Sequence, residues 1–502
     1  MKTYILFLFA LLTVCLTSCD DWLDVRAGNT IKEEDQFRTY KGFRDALTGC
    51  YMAMADQKTY GQRMTMTTVE LLANLWYCPE ENKTQTPEYY YLTTHSYTQD
   101  AVLTPIDEIY RGLFNTIAQA NVIIKHAEAE GEAINDEKTR ATITGEAYAI
   151  RAYCQLDVLR LFGQLPQGGS KQVSLPYSYV TGINEMPSYY AFDDYVTLLK
   201  ADIDKALSLL EDNDPIFQYT FEDLNSPTTT LMEDSYFYYR QFRLNYWAVK
   251  ALQARMYLYL GENNNAYKAA MSVINAKGID GNPIMELSGL TDMGANRFAC
   301  PSECLFYLSK YDINTYANNV LVGGNWGLDW QITSRYLYLT EDMLHQLYLS
   351  IASSTGSHNR YNNIWNRQAK APSGAICPTL KKYWYSEETT NDLMLKHQII
   401  PMLRMSEIYL IAIETTTSLT EANSLYTTYM RSCAVSNHST FGSTNEVKEE
   451  IINEYRRELF GEGQMFYTYK RINSAKMLWK AEEVQEDEYI VPLPQTEYNP
   501  NN

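Results

Sequence analysis

Cys19 is the residue whose neighbours dictate a chemistry most directly. It follows Leu16, Thr17 and Ser18, and a signal peptidase that cuts before a cysteine needs Leu three places upstream and small residues in between. Lys2 gives a short positive start, and Ile5 to Leu16 forms an apolar run too short to span a bilayer, the pattern of a secretory signal. Cys19 then becomes the lipidated N-terminus of the mature chain. Acyl chains on one residue hold a protein at a membrane surface, with about 0.8 kcal/mol for each buried CH₂. The alternative, an ordinary cysteine just past a signal peptide, requires the Leu-x-x-Cys pattern to be accidental.

Reactive constellations are otherwise missing. His95, His126, His345, His358, His397 and His438 fall in no HExxH or other metal-ligand spacing, and the chain has no G-x-S-x-G elbow, P-loop or G-x-G-x-x-G. Cys50, Cys78, Cys154, Cys300, Cys304, Cys377 and Cys433 remain after the signal and the anchor, an odd set that makes a poor disulfide framework. Cys300 and Cys304 lack a second pair, so most of these thiols read as small buried hydrophobes. The expectation is no catalytic residue, no metal and no cofactor. A glycosidase carboxylate pair is a spatial arrangement that spacing does not show, so a surface glycoside hydrolase stays open as an alternative.

Aromatic side chains are abundant: 42 Tyr, 8 Trp and 16 Phe in 502 residues. Each offers an apolar face, and Tyr adds a polar rim, which suits wet binding surfaces as well as helix-packing seams. The formal net charge is −19. A chain this acidic has no basic surface to neutralise phosphates, so nucleic acid is excluded as a partner. No run of Lys or Arg points to anionic lipid.

The elements that carry these residues read as helices in pairs. Phe43, Ala46, Leu47, Cys50 and Met54 share one helical face. Residues 75–104 break the pattern and read as an aromatic-rich loop region, after which periodicity returns from Ile106 to Ile124. A helix from about Glu137 to Phe162 carries two apolar stripes and is therefore covered on two sides; Gly163 and Pro166 end it. A further helix spans about Phe192 to Leu210. Leu244 to Leu258, the Gly261 stop and Ala266 to Val273 form a hairpin whose small residues fall at tetratricopeptide-like spacings. A looser hairpin spans Met402 to Cys433. From about 287 to 400 periodicity is lost, and short strands and irregular loops are expected there, where a binding site would be carried. The expected fold is all-α dominated, of tetratricopeptide-like hairpins in an α/α superhelix, with a loop-rich insertion containing a few short strands.

These pieces resemble one family, the RagB/SusD-like nutrient-binding lipoproteins of Gram-negative outer membranes. Cys19-Asp20-Asp21-Trp22-Leu23-Asp24-Val25 is similar to the family's mature N-terminus. Glu70-Leu71 with Asn74, where the family usually has Asp, and Ile109-Tyr110 with Ala120-Asn121 are similar to its first block. Gly145-Glu146-Ala147, Arg151-Ala152 and Leu161-Phe162-Gly163 resemble its most recognisable signature. Arg404 with Ser406-Glu407-Ile408-Tyr409-Leu410, then Arg457-Glu458-Leu459-Phe460 with Glu462-Gly463 and Lys470-Arg471, resemble later blocks. Pro492-Leu493-Pro494 resembles its tail.

The resemblance implies a non-catalytic, lipid-anchored protein on the outer face of the outer membrane. It implies an oligosaccharide ligand, or in some members an oligopeptide, captured for a SusC-like TonB-dependent transporter. It also implies an organisation: signal peptide 1–18, lipidated tether 19–35, and one domain over 36–502 with halves of about 36–225 and 226–502. In the family, loops after the Glu70-Leu71 block and in the Gly-rich insertion carry the ligand. The expected platforms are thus Trp76, Tyr77, Trp326 and Trp330, with Asn74, Asn325 and Asp329 as polar partners. Sugars present apolar C–H faces and a hydroxyl rim, which such a set can hold.

Overall fold

Long helices form where apolar residues recur every three to four positions, and each buries its stripe against the next helix along the chain. In this computed structural model, which describes residues 32–129, 133–182, 184–226, 232, 234–321, 335–348, 358–371, 373–384 and 398–498, the principal helices are as follows. First come α1 Tyr40–Met54, α2 Thr68–Leu72, α3 Pro87–Thr93, α4 Asp100–Ala129, α5 Glu137–Phe162 and α6 Phe192–Leu210. Then follow α7 Tyr246–Tyr259, α8 Asn263–Ile274, α9 Met405–Thr415, α10 Leu419–Ser432, α11 Thr444–Glu458 and α12 Met465–Arg471. They stack as an array: α1 on α4, α4 on α5, α5 on α6, α6 on α7, α7 on α8, α8 on α9, and α9 on α10 and α11. The helical superhelix with a loop-rich insertion is the architecture the sequence predicts.

Helix α5 shows why. Asp136 caps its start by accepting from the Thr139 N–H at 2.7 Å. From Thr142 to Phe162 every residue except Tyr148 is buried, because α4 covers one stripe and α6 the other. Gly145 lets α6 approach: a Cβ there would stand 2.9 Å from Leu210 Cγ and 3.1 Å from Leu209 Cβ. At the far end the Lys470 ammonium donates to the carbonyls of Leu161 and Gly163, at 3.2 and 2.6 Å, satisfying acceptors that a helix C-terminus leaves open.

The excursion between α8 and α9 carries β3 Cys304–Ser309 and β6 Ile399–Arg404, paired antiparallel from Ser309↔Ile399 to Cys304↔Arg404. It also carries the two-residue strands β4 Trp365–Asn366 and β5 Thr379–Leu380, which pair with each other. A third strand pair, β1 Leu175–Tyr177 with β2 Ser188–Tyr190, lies between α5 and α6. Three expectations need correcting. Residues 75–104 are not wholly loop: Asn82–Gln85 and α3 are helical, Pro87 serving as a first helical residue that needs no donor, and α4 starts at Asp100. Residues 402–404, assigned to a helix, end β6 instead. The insertion also holds short helices at Gly289–Gly294, Ile313–Val320, Glu341–Leu347 and Asn359–Asn363, too brief to show a period. The seven described cysteines are free, six buried and Cys78 half-buried.

The strand pair ends in a buried ion cluster. Arg404 reaches Glu303 at 2.6 Å, Glu458 at 2.7 Å and Glu462 at 2.7 Å. Arg360 meets Glu458 at 2.9 Å, and Lys382 meets Glu462 at 2.7 Å. Three cations thus face three carboxylates, all nearly solvent-free. Burial would push the Glu458 carboxyl up, but Arg360 and Arg404 outweigh it and hold the group below the usual carboxylate range. Arg404→Leu leaves two cations for three buried carboxylates and should cost about 3–5 kcal/mol of unfolding free energy, measured by denaturant titration. Adding Glu303→Gln should recover part of it. A near-neutral single variant would show that the cluster does not hold the strand pair in place.

Candidate functional site

The chain leaving α2 turns two consecutive aromatics to opposite sides. Asn74 takes a left-handed backbone (φ 55°), tolerable for Asn, and its side-chain amide donates to the Thr93 carbonyl at 3.0 Å. This ties the exit of α2 to α3. Trp76 points inward: it is 2% exposed, its Nε1 donates to the Met66 carbonyl at 2.9 Å, and its indole meets Phe460 edge-on at 4.8 Å. Phe460 is in turn edge-on to Trp365 at 4.9 Å. The expectation that Trp76 is a platform is therefore corrected. The indole is spent on packing and presents no face to a ligand.

Tyr77 points the other way and is half-buried. Its N–H donates to the Tyr338 carbonyl at 3.0 Å, and the two rings lie 5.5 Å apart at 57°. Burial pushes the Tyr338 phenol up to about 12, so it stays a neutral hydrogen-bonding group at physiological pH. Three residues before Tyr338, the Arg335 carbonyl accepts from the Tyr89 hydroxyl at 3.1 Å. Tyr90 donates to Glu80 at 2.8 Å, and its ring meets Tyr91 edge-on at 5.5 Å. Segment 335–339 is backed by Ala369, Cys377 and Pro378: Tyr336, Ala369 and Cys377 form a small apolar cluster, and Leu339 donates to the Pro378 carbonyl at 2.9 Å. The surface is built of half-buried tyrosines, with the exposed Glu80 at its polar rim and the Arg335 guanidinium resting on the Tyr336 ring at 4.6 Å.

Asn325, Trp326, Asp329 and Trp330 lie outside the described residues, as does Cys19. The chain on either side of 322–334 is described: Leu337, the residue before Tyr338, donates to the Val320 carbonyl at 2.7 Å. The structure places Tyr77 beside Tyr338, which follows that stretch in the chain. Tyr338 and Arg335 are additions; the signal for them was the alternating Tyr336-Leu337-Tyr338 directly after the Gly- and Trp-rich run. Elsewhere, an open groove of about 710 Å³ lies between the turns 261–265 and 415–419. Asn, Thr and Ser side chains dominate its lining, with no aromatic platform.

Two of the described histidines serve structure. His95 is held by the Leu72 carbonyl at 2.8 Å and Glu488 at 3.0 Å, and His358 caps the Asn359–Asn363 helix. Among the described residues no group of three His, Cys, Asp or Glu side chains is placed to hold a metal ion. The conspicuous carboxylates Glu303, Glu458 and Glu462 are committed to Arg404, Arg360 and Lys382.

Residues 329–501 match the SusD family. Solved structures extend the likeness to the whole described fold. A SusD superfamily protein from Bacteroides thetaiotaomicron shares 21% identity at a TM-score of 0.66, covering 92% of this chain and 98% of its own. Another from Bacteroides vulgatus shares 19% identity at a TM-score of 0.67, with the same coverage of 92% and 98%. A laminarin-binding SusD-like protein shares 15% identity at a TM-score of 0.63, covering 92% and 97%. No curated protein matches the sequence. The chain is SusD-like, in fold over its described length and in sequence over its C-terminal third.

One buried acid supports the site from below. Glu70, on α2, accepts from the Gly463 N–H at 2.7 Å, while its second carboxyl oxygen has no partner among the described residues. Burial pushes it up to about 8, with the N–H groups of Gly463 and Gly461 and the Lys382 charge pulling the other way. The native state keeps a proton that the unfolded chain releases near 4.5. The contribution of Glu70 to stability is therefore full below about pH 4.5 and is lost as pH rises toward about 8. Glu70→Gln should remove that loss, so the variant's melting midpoint falls less than the parent's between about pH 5 and pH 9. Parallel curves would show that Glu70 does not carry the buried proton.

Proposed function

We propose that this protein is a non-catalytic, surface-exposed lipoprotein that captures oligosaccharides and hands them to a SusC-like TonB-dependent transporter. The observation that carries this reading is the Tyr77–Tyr338 surface, extended by Tyr89 through its bond to the Arg335 carbonyl. Half-buried rings with a polar rim suit the C–H faces and hydroxyls of a glycan. The relative that binds laminarin shares the fold. The absence of turnover is supported by the fate of Glu303, Glu458 and Glu462, which are bound to cations and buried, unlike a glycosidase pair open to substrate.

Trp326 and Trp330, with Asn325 and Asp329, complete the proposed site from the neighbouring segment. Asn74, half-buried and tied to α3 through the Thr93 carbonyl, is a polar partner beside Tyr77. Cys19 supplies the anchor, preceded by signal peptide 1–18 and followed by a tether to about residue 35, with one domain over 36–502. Among the described residues no helix is long and apolar enough to cross a membrane, and a lipid anchor needs none.

Native gels containing a panel of polysaccharides, run on the mature chain without lipid, test the reading. One glycan should retard the protein without releasing reducing sugar. Tyr77→Ala and Tyr338→Ala should each weaken binding at least about tenfold, or 1.4 kcal/mol. Undiminished retardation in both variants would take the site elsewhere, peptide capture without glycan retardation would change the ligand class, and released sugar would make the protein an enzyme. Cys19→Ala, expressed in a Gram-negative host, should move the protein out of the membrane fraction; unchanged membrane association would reject the lipid anchor.

A further inference from the structure

A small cavity of about 20 Å³ lies among α7, α11 and α12, its wall including Arg160, Arg255, Gln464 and Arg471. The charged side chains around it are already matched. Arg160 lies on Asp157 and donates to Gln464 at 3.0 Å; Arg255 donates to the two oxygens of Glu407 at 2.7 and 2.6 Å; Arg471 donates to both oxygens of Glu414 at 2.7 Å. Three phenols on the same wall are not. The hydroxyls of Tyr259, Tyr455 and Tyr467 are buried, and none has a protein partner in hydrogen-bond geometry among the described residues. Tyr455 lies near the Glu414 carboxylate without reaching that geometry.

Three buried phenols without partners, all lining one void, make a chemically specific situation. Each has a proton to donate and lone pairs to offer, and buried polar groups in folded proteins are almost always paired. A water molecule needs roughly 10–15 Å³ and two to four polar partners; the cavity and the three phenols supply both. We infer that this cavity is a built-in hydration site in which one water is hydrogen-bonded by Tyr259, Tyr455 and Tyr467, joining α7, α11 and α12. Water is preferred to a small anion because each guanidinium nearby is matched by its own carboxylate, leaving no positive charge for an anion to neutralise. The site has a structural consequence. Helix α12 begins directly after the turn Gly461-Glu462-Gly463-Gln464, which receives Glu70 and follows Phe460, so the water fastens the helical array to the turn that packs beneath Trp76.

Single Tyr→Phe changes at 259, 455 and 467 separate a hydrated hydroxyl from an orphaned one by the sign of the effect. Phe keeps the ring, including the Tyr467 ring on which the Arg160 guanidinium rests at 4.1 Å. Removing an unpaired buried hydroxyl raises stability, whereas removing one that is paired through water lowers it. The expected result is a melting midpoint lower by about a degree or more for each variant; a rise in any two overturns the inference. A high-resolution crystal structure of the mature chain should show one isolated peak within about 3 Å of at least two of the three oxygens. Empty density there, or an anomalous peak after a bromide soak, overturns it as well.

Discussion

Buried arginines paired with buried carboxylates hold this protein in register, and the rest of the structure depends on them. Arg151 on α5 grips both oxygens of Asp202 on α6, at 2.7 and 2.6 Å, and reaches Asn121 on α4 at 2.9 Å, so three consecutive helices share one clamp. Arg240 binds Asp214 and Glu146, fastening the connection before α7 to α5. Arg255 on α7 binds Glu407 on α9 and the Met402 carbonyl of β6. Arg404 gathers three carboxylates at the end of β6, and Arg471 on α12 returns to Glu414 on α9. Helix stacking through small residues alone tolerates sliding, since apolar contact is not directional. A bidentate guanidinium–carboxylate pair is directional and cannot be broken on one side without stranding a charge.

This framework explains how a surface of tyrosines can be placed accurately by a chain that wanders far from its helices. Arg404 and Lys382 fix the segment from Glu458 to Gly463, whose Phe460 sits between Trp76 and Trp365. Trp76 is thereby pinned, and Tyr77, the next residue, is presented outward against Tyr338. The buried neighbour sets the position of the exposed one. Side chains that touch a ligand need support of this kind if they are to be held without the entropy loss of ordering them on binding.

Much of the scaffold was legible because helix periodicity survives in sequence: the spans Glu137–Phe162 and Phe192–Leu210 appear in the structure as read, and the two stripes of α5 are covered by two partners. Short elements were not legible. Five- to eight-residue helices in the insertion, and the helical start of α4, hold too few apolar repeats to stand out, and β6 was absorbed into the helix that follows it without a break. At the candidate site both neighbouring aromatics, Trp76 and Tyr77, read as platforms in the sequence, and the structure leaves only Tyr77 half-buried. Trp76 and Tyr77 are adjacent and both aromatic, and only tertiary packing decides which turns inward. The larger indole, with one N–H to satisfy, found the Met66 carbonyl and the Phe460 edge. Tyr338 lay more than two hundred positions away, and no local pattern links it to Tyr77.

Helices α8 and α9 are neighbours in the array, yet the whole excursion carrying β3 to β6 separates them along the chain. For a growing polypeptide this sets an order of events. Helices α1 to α8 find their partners locally as they emerge, whereas α9 docks only after the excursion has been made and its ends drawn together. Closing so long a loop costs little extra equilibrium stability, since each doubling of length adds only about 0.6 kcal/mol, but non-local pairing of this kind slows folding. The exposed side of α8 is an unfinished apolar face until that moment. The half of the protein that carries the clamp beneath the tyrosine surface is therefore the last to assemble.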